Sequence, residues 1–319
     1  MIRFIASRLG FALLVLFSLS VFVFVLFYVA PGDPARLIAG DKAPESMLVQ
    51  IRSNLGLDLP IHQQYLTFLG QALQGDLGFS YRNQQPVAPL IVNRIPATLS
   101  LVVGGVVVWL AIGIPIGIAS AKRPGGLRDR IGQGFTLIGL SFPTFVLGMV
   151  LLYTLYFLPK QAGFTLLPAG GYVDLWPNPL NWAWHMLLPW FTLALVTAAV
   201  YARLTRGQML EVMGEDYIRT ARAKGLTEFR VVYKHGMRST LTPLVTQLGA
   251  DIAFLMGGAI VIEQVFGLQG VGALAVQSVA SQDRPIIIGV VLLGGLFIVV
   301  ANIVVDVLYV VLDPRVRVR

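Results

Sequence analysis

Residues 216–243 read DYIRTARAKGLTEFRVVYKHGMRSTLTP, a long polar interruption in a chain otherwise dominated by apolar runs. Asp216 is placed to cap a helix in which Ile218, Ala221 and Gly225 follow at i, i+3, i+7. Ala221 and Gly225 are small, so a second surface can approach that backbone closely. A second helical pattern puts Phe229, Val232, Tyr233 and Gly236 on one face and Arg230, Lys234 and Arg238 on another. The expectation is two short helices lying along a membrane, one a smooth knob and the other a basic stripe. The same residues also suit a basic loop resting on anionic lipid, at about 1 kcal/mol per cation. Residue chemistry alone leaves both readings open.

Working outward, the 319 residues are 56% hydrophobic and only 13% charged, which excludes an ordinary soluble domain. Six apolar runs are long enough to cross roughly 30 Å of hydrocarbon: 9–30, 97–121, 131–158, 186–204, 243–266 and 285–312. The first has the basic start of a signal peptide, but it is longer than a usual h-region and is expected to stay as a spanning helix. Six crossings put both termini on one side, and the positive-inside rule names that side as cytoplasmic. Seventeen of the 24 Lys and Arg then lie inside, most of them between Arg203 and Arg238, near Lys122–Arg130 and in the tail at Arg315, Arg317 and Arg319. Outside lie Arg36, Lys42, Arg52, Arg82, Arg94, Lys160 and Arg284. The net charge of +8 therefore reflects topology and contact with the inner leaflet, and gives no case for nucleic acid.

Several chemistries are excluded. The chain has no cysteine, which rules out disulfides and thiolate catalysis. His62, His185 and His235 fall in three different segments, which argues against a metal cluster. No GxxxxGK[ST] run is present, so any ATP must be bound by another chain.

Along the chain, residues 31–96 form the longest extramembrane piece. It is turn-rich at PGDPARLIAG and then helical, with Met47, Ile51 and Leu55, then Tyr65, Phe68, Leu69 and Leu73, broken by Gly56 and Pro60. Pro115 and Pro143 mark expected bends in the second and third spans. Trp176, Trp182 and Trp184 read as an interfacial belt. The fourth span runs into the 216–243 stretch without a flexible linker. In the fifth span, Asp251 lies about 12 Å past Pro243 and Glu263 about 30 Å past it, near the outer surface. An ionised carboxylate at the bilayer centre costs roughly 2.5–3.5 kcal/mol, so Asp251 should face protein or a wet cavity. With Gln247 and Glu263 it is a candidate for the pathway or an outer gate; a hydrogen bond to a neighbouring helix is the alternative. Asn302 and Asp306, at i, i+4 near the inner end of the last span, suit structural anchoring.

The 216–243 stretch resembles the cytoplasmic EAA loop of ABC-transporter permeases, in the form RTARAKG common in dipeptide and oligopeptide importers. Gly225 falls on the family's central Gly and Ala221 on its second Ala. Arg219 and Thr220 depart from the general motif, as do His235, Met237 and Arg238, toward that branch. PGDPA, LGLDLPIHQQYL, GDLGFSY, RIPATLSL, VIEQVFGLQGVG and VDVLYVVLDPRVRVR extend the resemblance to nearly the whole chain, with Gln269 standing where a Pro is frequent.

The resemblance implies an all-α polytopic membrane protein of the type I ABC importer permease fold, with six transmembrane helices and both termini cytoplasmic. Residues 1–96 would hold the first helix and an extracytoplasmic helical region. Residues 97–319 would hold a five-helix core, with the coupling loop at about 205–242. It further implies docking of a separate ATPase on Tyr217, Ile218, Thr220, Ala221, Arg222, Lys224 and Gly225. Implied partners are a second homologous permease, one or two ABC ATPase chains carrying ATP and Mg, an extracytoplasmic substrate-binding protein, and the lipid of a bacterial inner membrane. The chain itself would bind no cofactor and do no covalent chemistry. A proton-coupled carrier using Asp251 and Glu263 is the reading from a different class.

Overall fold

The computed structural model describes residues 2–29, 35–36, 43–54, 56–256 and 259–312. Most of the PGDPARLIAG turn and the basic tail at 313–319 lie outside that set. In chain order the helices are α1 (Ile2–Phe24, continued by a π-helical turn at Val25–Val29), α2 (Glu45–Asn54), α3 (Ile61–Leu73) and α4 (Val87–Val92). They continue with α5 (Ile95–Lys122), α6 (Leu127–Ser141), α7 (Thr144–Leu152, prolonged by a π turn at Tyr153–Phe157) and α8 (Pro179–Met213). The last are α9 (Asp216–Ala223), α10 (Met237–Met256), α11 (Ile260–Val265), α12 (Val271–Ala280) and α13 (Arg284–Leu312).

Four stretches among the described residues are long and apolar enough to cross a membrane: Ser7–Phe27, Val87–Lys122, Pro179–Met213 and Arg284–Val307. A fifth results if Leu127–Ser141 and Thr144–Gln161 count as one span, bent by 97°. The cause of the bend is local. Pro143 has no N–H to continue the helical ladder, and its backbone sits at φ −59, ψ 138, extended rather than helical. Pro115, by contrast, is carried inside α5 without ending it. The expected run 243–266 is shared between α10 and α11, with residues 257–258 outside the described set.

The chain forms two compact units, Met1–Ile95 with Val271–Val299, and Pro96–Gly270 with Val300–Arg319. Among the described residues, the first unit has two apolar clusters. Val87, Ile91, Val271, Leu274, Ile286 and Val290 make one, and Val23, Phe24, Phe68 and Ile288 make the other. Tyr65 joins the second cluster and shares a 2.9 Å hydrogen bond with Ser20. The helical periodicity expected for 45–74 holds, but its inward face is shifted. Leu48 is buried where Met47 was expected, and Leu73 is 79% exposed because α3 ends there beside Gln74 and Gly75.

In the second unit, α5 and α8 approach almost backbone to backbone. A Cβ added at Gly113 would lie 2.7 Å from the Ala198 carbonyl oxygen, and one at Gly117 would lie 2.7 Å from that of Ala202. Between membrane helices the lipid supplies no hydrophobic drive, so such small-residue crossings gain their stability from close van der Waals packing. Trp109 and Tyr201 are fully buried there, with ring centroids 6.1 Å apart. The tryptophan belt needs a correction. Trp176 is 77% exposed and suits an interface, but Trp182 packs edge-on against Trp190 and donates to Ser100 Oγ at 3.1 Å. Trp190 donates to the Ser100 carbonyl at 2.8 Å, its indole lying where any side chain at Gly104 would stand.

Candidate functional site

α8 leads through a tight turn into α9: Gly214 N–H donates to the Glu211 carbonyl and Glu215 N–H to that of Val212, each at 3.1 Å. Glu215, not Asp216, is the N-cap residue, and its side chain makes no capping bond. Asp216 is the first helical residue, where its charge still complements the positive end of the helix dipole. The end of α9 closes more fully. Leu226 N–H reaches back to the Ala221 carbonyl at 3.3 Å and Gly225 N–H to that of Arg222 at 2.9 Å. That pair of bonds is a Schellman cap, which requires a left-handed residue at the position of Gly225, and its φ is +74.

This geometry divides the seven candidate coupling residues. Ile218 and Ala221 face inward, in a cluster with Val212 and Val231. Tyr217, Thr220, Arg222, Lys224 and Gly225 face outward. Ala221 is therefore covered by its own chain and is no smooth knob; Gly225 is open, with nothing within 4 Å of where a Cβ would stand. Arg222 Nε is held by Glu228 at 2.7 Å, and Tyr217 Oη lies 3.0 Å from Ser239 Oγ.

The second half of the stretch differs from the expected short helix. Glu228–Arg230, the π-helical turn Val231–Gly236 and α10 form one continuous helical run. The wider π turn changes the angular step, so the face inferred from a 3.6 period does not survive. Val231, Val232 and Gly236 are buried, while Phe229 and Tyr233 point out, 70% and 43% exposed, with centroids 4.6 Å apart. Lys122 Nζ sits 4.6 Å from the Tyr233 ring centroid. Gly236 lets this turn press on α8: a Cβ there would lie 3.3 Å from both Met209 Cε and Met213 Sδ.

The three candidate pathway residues fall into two networks. Asp251 accepts from Tyr201 Oη and from Gln247 Nε2, both at 2.9 Å, so one turn of α10 and one residue of α8 hold it. Glu263 is fully buried, accepts from Thr98 Oγ1 at 2.6 Å, and packs where a side chain at Gly270 would otherwise be. Sequence reasoning missed the bidentate pair of Arg206 with Asp129, whose Oδ2 also accepts from Gly125 N–H at 2.8 Å. Seventy-seven residues separate the partners, and no local pattern announces them.

The all-helical arrangement is similar to that of a chain in an inward-facing structure of the MetNI methionine ABC transporter. The TM-score is 0.52 over 70% of this chain and 96% of that one, at 19% identity, a likeness of fold. The sequence pattern of the family described as "Binding-protein-dependent transport system inner membrane component" matches residues 113–318, and that of its N-terminal region matches residues 1–102. The chain belongs to this family of ABC importer permeases, multi-pass proteins of the inner membrane, in its peptide and nickel branch. It is 40% identical over 317 residues to the glutathione transport system permease protein GsiC of Escherichia coli K12, and equally so to that of Salmonella typhi, covering 99% of each chain.

Proposed function

We propose that this chain is one of two membrane subunits of an ATP-driven importer for dipeptides or oligopeptides, and that it forms half of the pathway and couples it to a separate ATPase. The observation that carries the coupling role is the outward edge of α9, where Tyr217, Thr220, Arg222 and Lys224 are exposed along a helix that ends at an open Gly225. A protruding helix end anchored from beneath by Ile218 and Ala221 suits transmission of a push along α8. The peptide cargo is supported by the branch-specific RTARAKG form and by relatives named for glutathione, itself a tripeptide.

In this reading both termini are cytoplasmic, six segments cross the membrane, and residues 1–96 carry the region that meets a substrate-binding protein. ATP and Mg are held by the partner chains. Closure of the ATPases draws the two coupling segments together and biases the pathway outward, and hydrolysis returns it. This is a population shift driven from a remote site. Mild extraction of the tagged chain from native membranes tests it. Co-purification of a second permease and an ATPase, with hydrolysis stimulated by a peptide-loaded binding protein, is the expected result. Recovery of the chain alone, with uptake that follows the proton gradient, would return the carrier using Asp251 and Glu263.

A further inference from the structure

A cavity of about 640 Å³ opens within the first unit, bounded by the end of α2, α3, the segment 76–84 and the start of α13. That is inside the range of roughly 300–1,000 Å³ common to small-molecule sites. Phe27, Leu57, Phe68, Leu77 and Ile288 supply apolar lining. Thr67, Gln71, Asp76, Gln84 and Arg284 supply polar lining, with one charge of each sign.

Both flanking walls are built by hydrogen bonds from buried or half-buried side chains. On one side Gln64 Nε2 donates to the carbonyls of Leu57 at 3.0 Å and Leu59 at 2.7 Å, fixing the turn that follows Gly56. On the other, Asp283, only 2% exposed, accepts from Ser80 Oγ and from the N–H groups of Tyr81 and Arg82. Ser80 Oγ in turn accepts from Asn83 N–H at 2.9 Å, so the loop ahead of α4 is locked to the α12–α13 turn. A wall held this way loses little freedom when a ligand arrives.

We propose that this cavity is a receiving site for a short zwitterionic peptide; the proposal rests on the peptide-importer reading above. A free peptide presents an ammonium, a carboxylate, amide groups that both donate and accept, and side chains that are often apolar. Asp76 is suited to the ammonium, its carboxylate retaining acceptor capacity beyond the 2.9 Å bond from Gly78 N–H. Arg284 is suited to the carboxylate. Gln71 and Gln84 can each donate and accept, and the apolar lining takes the side chain. A lipid-tail site would call for an uncharged slot instead.

The test uses the full-length chain in nanodiscs of defined phospholipid. The probe is a tripeptide with a central benzophenone residue and free termini, with a second version acetylated at the N-terminus. Saturable photolabelling mapped to residues 56–84 or 284–288, and displaced by trialanine, is the expected result. Thr67→Trp, which fills the cavity, should weaken labelling about tenfold or more. Asp76→Asn, at an exposed position, should weaken the free-terminus probe and leave the acetylated one unchanged. Labelling elsewhere, labelling indifferent to both variants, or displacement by added phospholipid alone would overturn the site. If the assembled importer takes up peptide while the isolated chain shows no labelling here, the site fails and the peptide reading stands. Absence of both would remove both.

Discussion

Arg206 reaches both carboxylate oxygens of Asp129, Nε to Oδ1 at 2.6 Å and Nη2 to Oδ2 at 2.9 Å. The carboxylate is 1% exposed and the arginine side chain 28%. The pair ties the first turn of α6 to α8 a short way before α8 turns into α9. Removing one partner of a buried pair leaves the other desolvated, at roughly 3–5 kcal/mol. Arg206 is partly open to solvent, so the lower end applies.

Asp129→Ala is expected to destabilise the purified chain by about 3 kcal/mol, read as a lowered Tm. The double variant Asp129→Ala with Arg206→Leu should recover much of that loss. If the two single losses simply add in the double variant, the contact is not energetically coupled.

At Gly225 the left-handed backbone and the open surroundings have separable effects. Any L-residue there pays roughly 1–2 kcal/mol for a positive φ, with Asn paying least. Gly225→Asn should therefore insert and couple nearly normally. Gly225→Trp should still insert, since nothing lies within 4 Å, but ATP use and transport should become uncoupled as the ring blocks docking. Normal uptake in the Trp variant would remove Gly225 from the docking surface.

Asp251 can lose its charge and keep its partner. In Asp251→Asn the amide oxygen still accepts from Tyr201, so stability should hold and transport should be partly retained. Asp251→Ala leaves the buried tyrosine hydroxyl without that acceptor, at about 1–3 kcal/mol. Complete loss of uptake in an assembled Asn variant would instead assign the charge itself a role in transport.

Gly270 makes room for a carboxylate. A methyl group there would overlap the carboxylate of Glu263, which is fully buried and bonded to Thr98 Oγ1, so making room means disturbing that bond. Gly270→Ala is expected to lower Tm by several degrees, corresponding to the roughly 1–3 kcal/mol of an overpacked core. Glu263→Asp, one methylene shorter, should restore part of that loss in the double variant. An unchanged Tm in Gly270→Ala would show that this segment yields easily.

The sequence by itself determined that the chain is helical and membrane-embedded, since apolar runs of bilayer length carry that information locally. It also carried the family, through motifs spread over nearly all its length, and the i, i+3 spacing that buries Ile218 with Ala221. Tertiary structure decided what depends on distant partners. Whether Ala221 faces a partner or its own chain is set by Val212 and Val231, not by α9 alone. Phe229 and Tyr233 turn outward while Val232 and Gly236 are buried, a split of the expected face across a π turn that a periodicity count cannot register. Asp129 meets Arg206, and Asp283 locks Ser80, across separations of 77 and 203 residues. Hydrophobic periodicity reports which face avoids water; the choice of a polar partner rests on where two separate segments converge, and only the folded chain brings them together.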